Sequence, residues 1–257
     1  KTLNQKPLNP LLFGMEVKDT RRPEIKDVFV YNNINKSYNN LIPNKLQLIK
    51  LNDSVYTTNT INIMGSTGFG INAIDKQDFA NNKNGVYEIS TYYENKLINK
   101  INYNSFLFEE SILINTLIDY KYYIKNKKRI LKLFKIPGNT LSFYKNQNDG
   151  LIKKSINKSE FKIKISDIKK NNVYVVIPID NKENIIQDNQ KLKSNIKYNK
   201  KIINELESNI KVKNCQIHIP KNTFLKDVDL YIDFQNDSLK IINPNLPVFK
   251  NIKITFP

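Results

Sequence analysis

Residues 60–96, TINIMGSTGFGINAIDKQDFANNKNGVYEISTYYENK, constrain the fold more than any other stretch of this chain. Tyr87, Ile89, Thr91 and Tyr93 fall at every second position. That is the period at which a strand sets its side chains on one face. Gly65, Gly68 and Gly70 mark places where a strand bends or where another part of the chain comes close. Asn81 to Gly85 reads as a turn, with Gly85 suited to a positive φ before the strand resumes. The stretch is expected to run as strand, Gly-marked bend, second strand, polar turn and third strand. Together these would form the core of one half of a β-sandwich.

The same period recurs on both sides of it. Glu24 to Tyr31, Leu46 to Leu51 and Ser54 to Thr58 read as strands, the last two joined by a turn at Asn52-Asp53. Leu97 to Tyr103 pairs back onto Tyr87–Tyr93 as a hairpin across Glu94-Asn95-Lys96. At Ser105 the spacing shifts towards 3.6, through Ile112, Leu113, Leu117, Tyr120, Ile124, Leu131 and Phe134. Glu109 and Glu110 lie near a helix start and Lys127 to Arg129 near an end, as the helix dipole favours. One or two short helices are therefore expected before Pro137-Gly138. A short strand is expected at Leu141 to Tyr144. Glu160 to Ile168 and Val173 to Ile179 then form a second hairpin. The fold class is mostly β: an Ig-like β-sandwich over 21–180 with a short helical insertion at 105–136, followed by a smaller β module over 210–257. Residues 1–20, punctuated by Pro7 and Pro10, read as a linker leaving an upstream domain. In that linker Leu8, Leu11, Leu12 and Phe13 are candidates for docking onto a neighbouring surface. Residues 181–209 read as a polar linker or a weak helix through Ile202, Ile203 and Leu206. The second module is short for a complete sandwich, which suggests that it is truncated or packs on the first.

Charge and residue usage bound the function. The net charge is +17, from 41 Lys and Arg against 24 Asp and Glu. Such a balance attracts polyanions. The lysines are scattered, however, and Lys, Asn and Ile share AT-rich codons, so codon usage accounts for the scatter better than a polyanion site does. The densest group is Lys125, Lys127, Lys128 and Arg129, and no nucleic-acid motif accompanies it. The single cysteine, Cys215, alternates with Ile217 and Ile219, as a buried side chain would. His218, the only histidine, then points to the opposite face of the strand, which argues against a Cys/His catalytic pair. One His and one Cys do not make an ordinary His/Cys zinc site within the chain. No apolar run approaches the ~20 residues that span a bilayer.

Acidic residues are the remaining candidates for chemistry. Asp75 and Asp78 in NAIDKQDF lie in an oxygen-rich turn of the kind that holds a cation, or else cap that turn through their side chains. Glu109 and Glu110 are adjacent and do not converge as a catalytic pair does. Gly65 to Gly70 lacks the Lys-Ser/Thr ending of a phosphate loop. Tyr120, Tyr122 and Tyr123 fit either a stacking platform for sugars or bases or the edge of a core.

Three stretches carry a family resemblance. PLNPLLFG at Pro7–Gly14, GFGINAIDKQDFANNKNGVYEI at Gly68–Ile89 and SFLFEESILINTLIDYKYYIK at Ser105–Lys125 resemble the region that follows the catalytic domain in Bacteroidetes-type LytM/lysostaphin-like zinc metallopeptidases. Those enzymes cut peptide cross-links in peptidoglycan. Asn9 to Gly14 looks like the segment by which the chain leaves the zinc-ligand strand. Ile219–Asp233 and Pro247–Phe256 are similar to the family's later β module. The resemblance covers nearly the whole chain but only the accessory part of the family. The family's zinc site needs more histidines than the single His218, so no catalytic or metal residue carries over. The resemblance implies zinc in a catalytic domain upstream of Lys1, a location in the bacterial cell envelope or periplasm, and no peptidase activity in this chain alone. The implied role is to position or regulate that catalytic domain, with peptidoglycan or an envelope protein as further partners and no nucleic acid. The alternative is a free-standing basic β-sandwich module that binds an anionic wall polymer or an envelope protein.

Overall fold

Alternating apolar residues build the strands in chain order. The computed structural model describes residues 2–3, 6–34, 41–145, 148–153, 158–181, 198–225, 227–235, 238–241 and 248–256. A two-residue pair, β1 (Thr2–Leu3) and β2 (Lys6–Pro7), leads into a 3₁₀ turn at Pro10–Leu12 capped by the Asn9 side chain. There follow β3 (Glu24–Tyr31), β4 (Asn44–Leu46), β5 (Leu48–Lys50), β6 (Val55–Thr58), β7 (Gly68–Ile74), β8 (Glu88–Tyr93) and β9 (Lys96–Asn102). A 3₁₀ segment at Phe108–Leu113, α1 (Ile114–Leu117), α2 (Tyr120–Asn126) and β10 (Leu131–Lys132) come next, then β11 (Lys158–Ser166) and β12 (Asn172–Asp180). Contacts divide the chain into two compact units: Lys1–Ile136 with Thr140–Asn184, and Pro137–Asn139 with Ile185–Pro257.

The first unit is a sandwich of two sheets, ordered β10-β7-β3-β4 and β5-β6-β12-β11-β8-β9. Val28, Val30, Phe69 and Ile71 of the first sheet meet Ile89, Ile101, Phe161, Ile163, Ile165, Val173, Val175 and Ile177 of the second in one buried cluster. Three features set the register of the second sheet. Glu94 and Asn95 both have positive φ, 50° and 60°, which closes β8 onto β9 as a two-residue hairpin. β11 and β12 pair over their full length from Lys158↔Asp180 to Ser166↔Asn172. β12 then pairs in parallel with β6, through Tyr174↔Val55 to Val176↔Thr57.

The second unit contains β13 (Tyr198–Ile202), β14 (Ser208–Val212), β15 (Cys215–Ile219), β16 (Val228–Gln235), β17 (Ser238–Ile241) and β18 (Lys253–Thr255). They form two three-stranded sheets, β13-β16-β17 and β14-β15-β18, around a core that includes Ile202, Val212, Ile217, Leu230 and Ile232. Cys215 is buried in that core and His218 is half-buried on the other face, where its Nδ1 lies 3.0 Å from Asn209 Oδ1.

Several expectations need correction. The 60–96 stretch does not belong to one sandwich half. β7 and β8 lie in different sheets, and residues 75–87 carry the chain from one to the other. Its first expected strand is reduced to a single bridge, Ile61↔Ile179. Gly85 does not take a positive φ; Phe79 does, at 59°, while Asn84 is held by paired backbone hydrogen bonds to Asp75. Residues 131–132 are strand rather than helix, because they complete the edge of β7. Leu141 to Tyr144 is not a strand and makes only the bridge Ile101↔Tyr144. Within the expected 181–209 linker, residues 198–202 form β13, with Ile202 in the core of the second unit, and residues 182–197 lie outside the described residues. Residues 7–20 pack within the first unit, where Asn9 N donates to Asn104 O at 2.9 Å and Leu8 bridges Ser105.

Candidate functional site

Three segments meet at one end of the sandwich. The first is the extended chain before β3, which carries Asp19. The second is the exit of β7, where Asp75 follows Ile74. The third is the tight turn between β11 and β12, which begins at Asp167. Each of the three carboxylates offers an oxygen, and these oxygens lie within 4.8 Å of one another. All three residues are buried: Asp19 is 9% exposed, Asp75 7% and Asp167 1%.

Their hydrogen bonds differ. Asp167 is fully engaged: Oδ1 accepts from Asn171 N at 2.7 Å and Oδ2 from Asn171 Nδ2 at 2.6 Å. Asn171 Nδ2 also donates to the Asp19 carbonyl at 3.1 Å, so one amide ties the β11–β12 turn to the entering chain. Among the described residues the Asp75 carboxylate accepts only from Lys76 N, at 3.1 Å. Asp19 Oδ1 accepts from Arg21 N at 3.2 Å, while Asp19 Oδ2 is buried without a hydrogen-bond partner. Among the described residues no Lys or Arg forms an ion pair with any of the three; Arg21 is turned to Glu24 at 3.5 Å. Burial, and then the neighbouring charges of Asp19 and Asp167, push Asp75 up to about 6. Burial first, and then Asp167 and Asp78, raise Asp19 against the opposing effect of the Arg21 backbone N–H.

A pocket of about 950 Å³ opens beside Asp75. Its wall is apolar, with Met15, Val17, Leu117 and Phe143 among its residues, and Asp75, Asn84 and Arg129 are among its polar ones. Tyr103 also lines it, and the buried Tyr103 hydroxyl makes no hydrogen bond. The volume is that of a small-ligand site.

The structure separates the residues singled out in the sequence. Asp75 joins the carboxylate cluster. Asp78 instead holds Thr20, accepting from its Oγ1 at 3.0 Å and its N at 3.3 Å. Of the docking candidates, Leu11 turns inward to line the pocket, while Leu12 and Phe13 are about half exposed. Glu110 is structural: it accepts from Ser142 N at 2.9 Å and Ser142 Oγ at 2.7 Å, and Glu109 is exposed. Tyr122 packs edge-on against Phe29 at 5.4 Å, and Tyr123 carries Arg129 over its ring at 5.6 Å, so neither is a free stacking platform. Asp19 and Asp167 carry no signal in the sequence, because one is a lone acid in an extended segment and the other a lone acid at an ordinary turn. Only a contact between residues 152 apart, Asn171 and Asp19, brings them together.

No protein-family model matches the chain, and no curated protein or solved structure matches it either. Among the described residues, no helix is long and apolar enough to cross a membrane.

Proposed function

We propose that this chain is a non-catalytic accessory region of a cell-wall zinc endopeptidase, acting through its sandwich to position or regulate the catalytic domain. One observation carries the reading. The three stretches that resemble the metallopeptidase family are far apart in sequence, yet all three contribute to the same pocket. Pro10 and Leu11 come from the first, Asp75 and Tyr87 from the second, and Leu117 and Tyr123 from the third. Zinc, on this reading, belongs to the attached catalytic domain, and the protein works in the bacterial cell envelope.

On this proposal residues 7–14 join the sandwich to the catalytic domain. They arrive at the sandwich through the Leu8–Ser105 bridge and the Asn9–Asn104 hydrogen bond, leaving Leu12 and Phe13 outward for the catalytic domain. The test begins with the coding sequence upstream of Lys1. An in-frame His-x-His motif close to Lys1, with a His-x-x-x-Asp further back, is the expected result. Deleting residues 1–20 should then abolish docking of that domain to the sandwich. A reading frame without those motifs overturns the proposal. The net charge of +17 would then favour a free-standing wall-binding module, checked by co-sedimentation with sacculi at low salt.

A further inference from the structure

We infer that Asp19, Asp75 and Asp167 form a binding site for a hard divalent cation, Ca²⁺ above all, which fastens the chain before β3 to the end of the sandwich. The inference is independent of the accessory reading.

The donor set comes first. All three side chains offer oxygen and none offers nitrogen or sulfur, which selects Ca²⁺ or Mg²⁺ over zinc or copper. Oxygens within 4.8 Å of one another match the span across a single Ca²⁺, whose ligands sit at about 2.3–2.6 Å. Mg²⁺ draws its ligands closer and keeps more of its water.

Charge balance comes second. Three buried carboxylates at this spacing repel one another, and burial penalises each charge. In a chain with 41 Lys and Arg, none of the described cations is brought into an ion pair with them. The Arg21 charge acts on Asp19 and Asp75 from a distance while its guanidinium pairs with Glu24 at 3.5 Å. One such cation does not balance three carboxylates, which leaves a place for protons or a metal ion.

The third point is the orphan oxygen. Asp19 Oδ2 belongs to a residue more than nine-tenths buried and has no hydrogen-bond partner, although its sister oxygen is bonded. A buried carboxylate oxygen left bare is costly unless a ligand fills the place. A protonated Asp19 would have a hydrogen to donate at that end of the cluster, whereas a cation would accept the lone pair directly. The frame around the site is already rigid: Asn171 locks Asp167 through both oxygens, and paired backbone bonds to Asn84 fix Asp75. The remaining coordination positions would be filled by water from the pocket that Asp75 lines.

The test uses the whole chain, stripped with EDTA and then titrated with Ca²⁺ and, separately, Mg²⁺. Millimolar Ca²⁺ should raise the melting temperature of the first unit by several degrees. Tyrosine-sensitised Tb³⁺ emission should appear and be displaced by Ca²⁺, with Mg²⁺ acting more weakly. Asp75→Asn, which risks only the bond from Lys76 N, should retain the far-UV circular dichroism of the wild type and lose both responses. Asp19→Asn provides the second variant. If Ca²⁺ leaves the wild-type melting temperature unchanged, or raises it equally in the folded variants, protons close the cluster and the inference is wrong. The wild-type titration decides even where a variant fails to fold.

Discussion

Phe69 on β7 and Phe161 on β11 stack across the sandwich, with ring centroids 4.0 Å apart and planes 23° from parallel. Both are fully buried, and they join the two sheets at the centre of the main core. Phe161→Ala should therefore cost about 3–5 kcal/mol, and Phe161→Leu about 1–2, through lost burial and a residual cavity. Urea unfolding of the first unit, followed by tyrosine fluorescence, checks both values.

Gly68 opens β7 where Phe134 and Ile34 press against the backbone. A Cβ there would overlap the Phe134 ring and come within 2.9 Å of the Ile34 side chain. The position is closed to side chains by packing, not by its dihedral angles. Gly68→Ala should destabilise the sandwich by about 1–3 kcal/mol. Trimming the obstructing ring in Gly68→Ala/Phe134→Leu should recover part of that loss. Equal destabilisation of the single and double variants would contradict the packing account.

Lys132 is a buried cation on β10. Burial pushes its ammonium down to about 8 against the pull of Asp119, which itself accepts from Tyr31 Oη at 3.0 Å. Because the folded value lies below the ordinary 10.5, the unfolded chain binds more protons between the two. Stability should therefore rise as pH climbs from about 8 towards the onset of tyrosine ionisation near 10. Lys132→Met should remove that rise. Chemical denaturation at several alkaline pH values measures it.

Glu24 behaves in the opposite sense. Lys26 and Lys76 hydrogen-bond its carboxylate at 2.6 and 2.8 Å and hold it down at about 2. A depressed carboxylate contributes stability that is present above its unfolded value of 4.5 and is lost as pH falls towards 2. Solvent screens this cluster, so the contribution should be about 1 kcal/mol. An acid titration of stability should be flatter in Glu24→Gln across that window. Identical acid limbs would show that the cluster contributes nothing.

Strands that close locally were legible in the sequence. β8 with β9, and β11 with β12, are joined by turn residues adjacent in the chain, and the two-residue alternation is plain in β11 and β12. Elements decided by distant partners were not. β10 is two residues long, too short to show a period, and exists because β7 offers it an edge. β13 was hidden in a Lys- and Asn-rich run whose composition resembles a linker, and only its pairing with β16 makes it a strand. The candidate site divides in the same way. Asp75 stood out in an oxygen-rich turn, while Asp19 and Asp167 gained meaning from tertiary contact.

The parallel pairing of β6 with β12 has a consequence for synthesis on the ribosome. On the side away from β5, Val55, Tyr56 and Thr57 pair with Tyr174, Val175 and Val176. When β6 emerges, its antiparallel neighbour β5 is available, but its other edge stays open until more than a hundred further residues have been translated. The sandwich cannot assemble progressively from its N-terminus. It must wait for its last strand, and during that wait the growing chain presents an unpaired β edge to its surroundings.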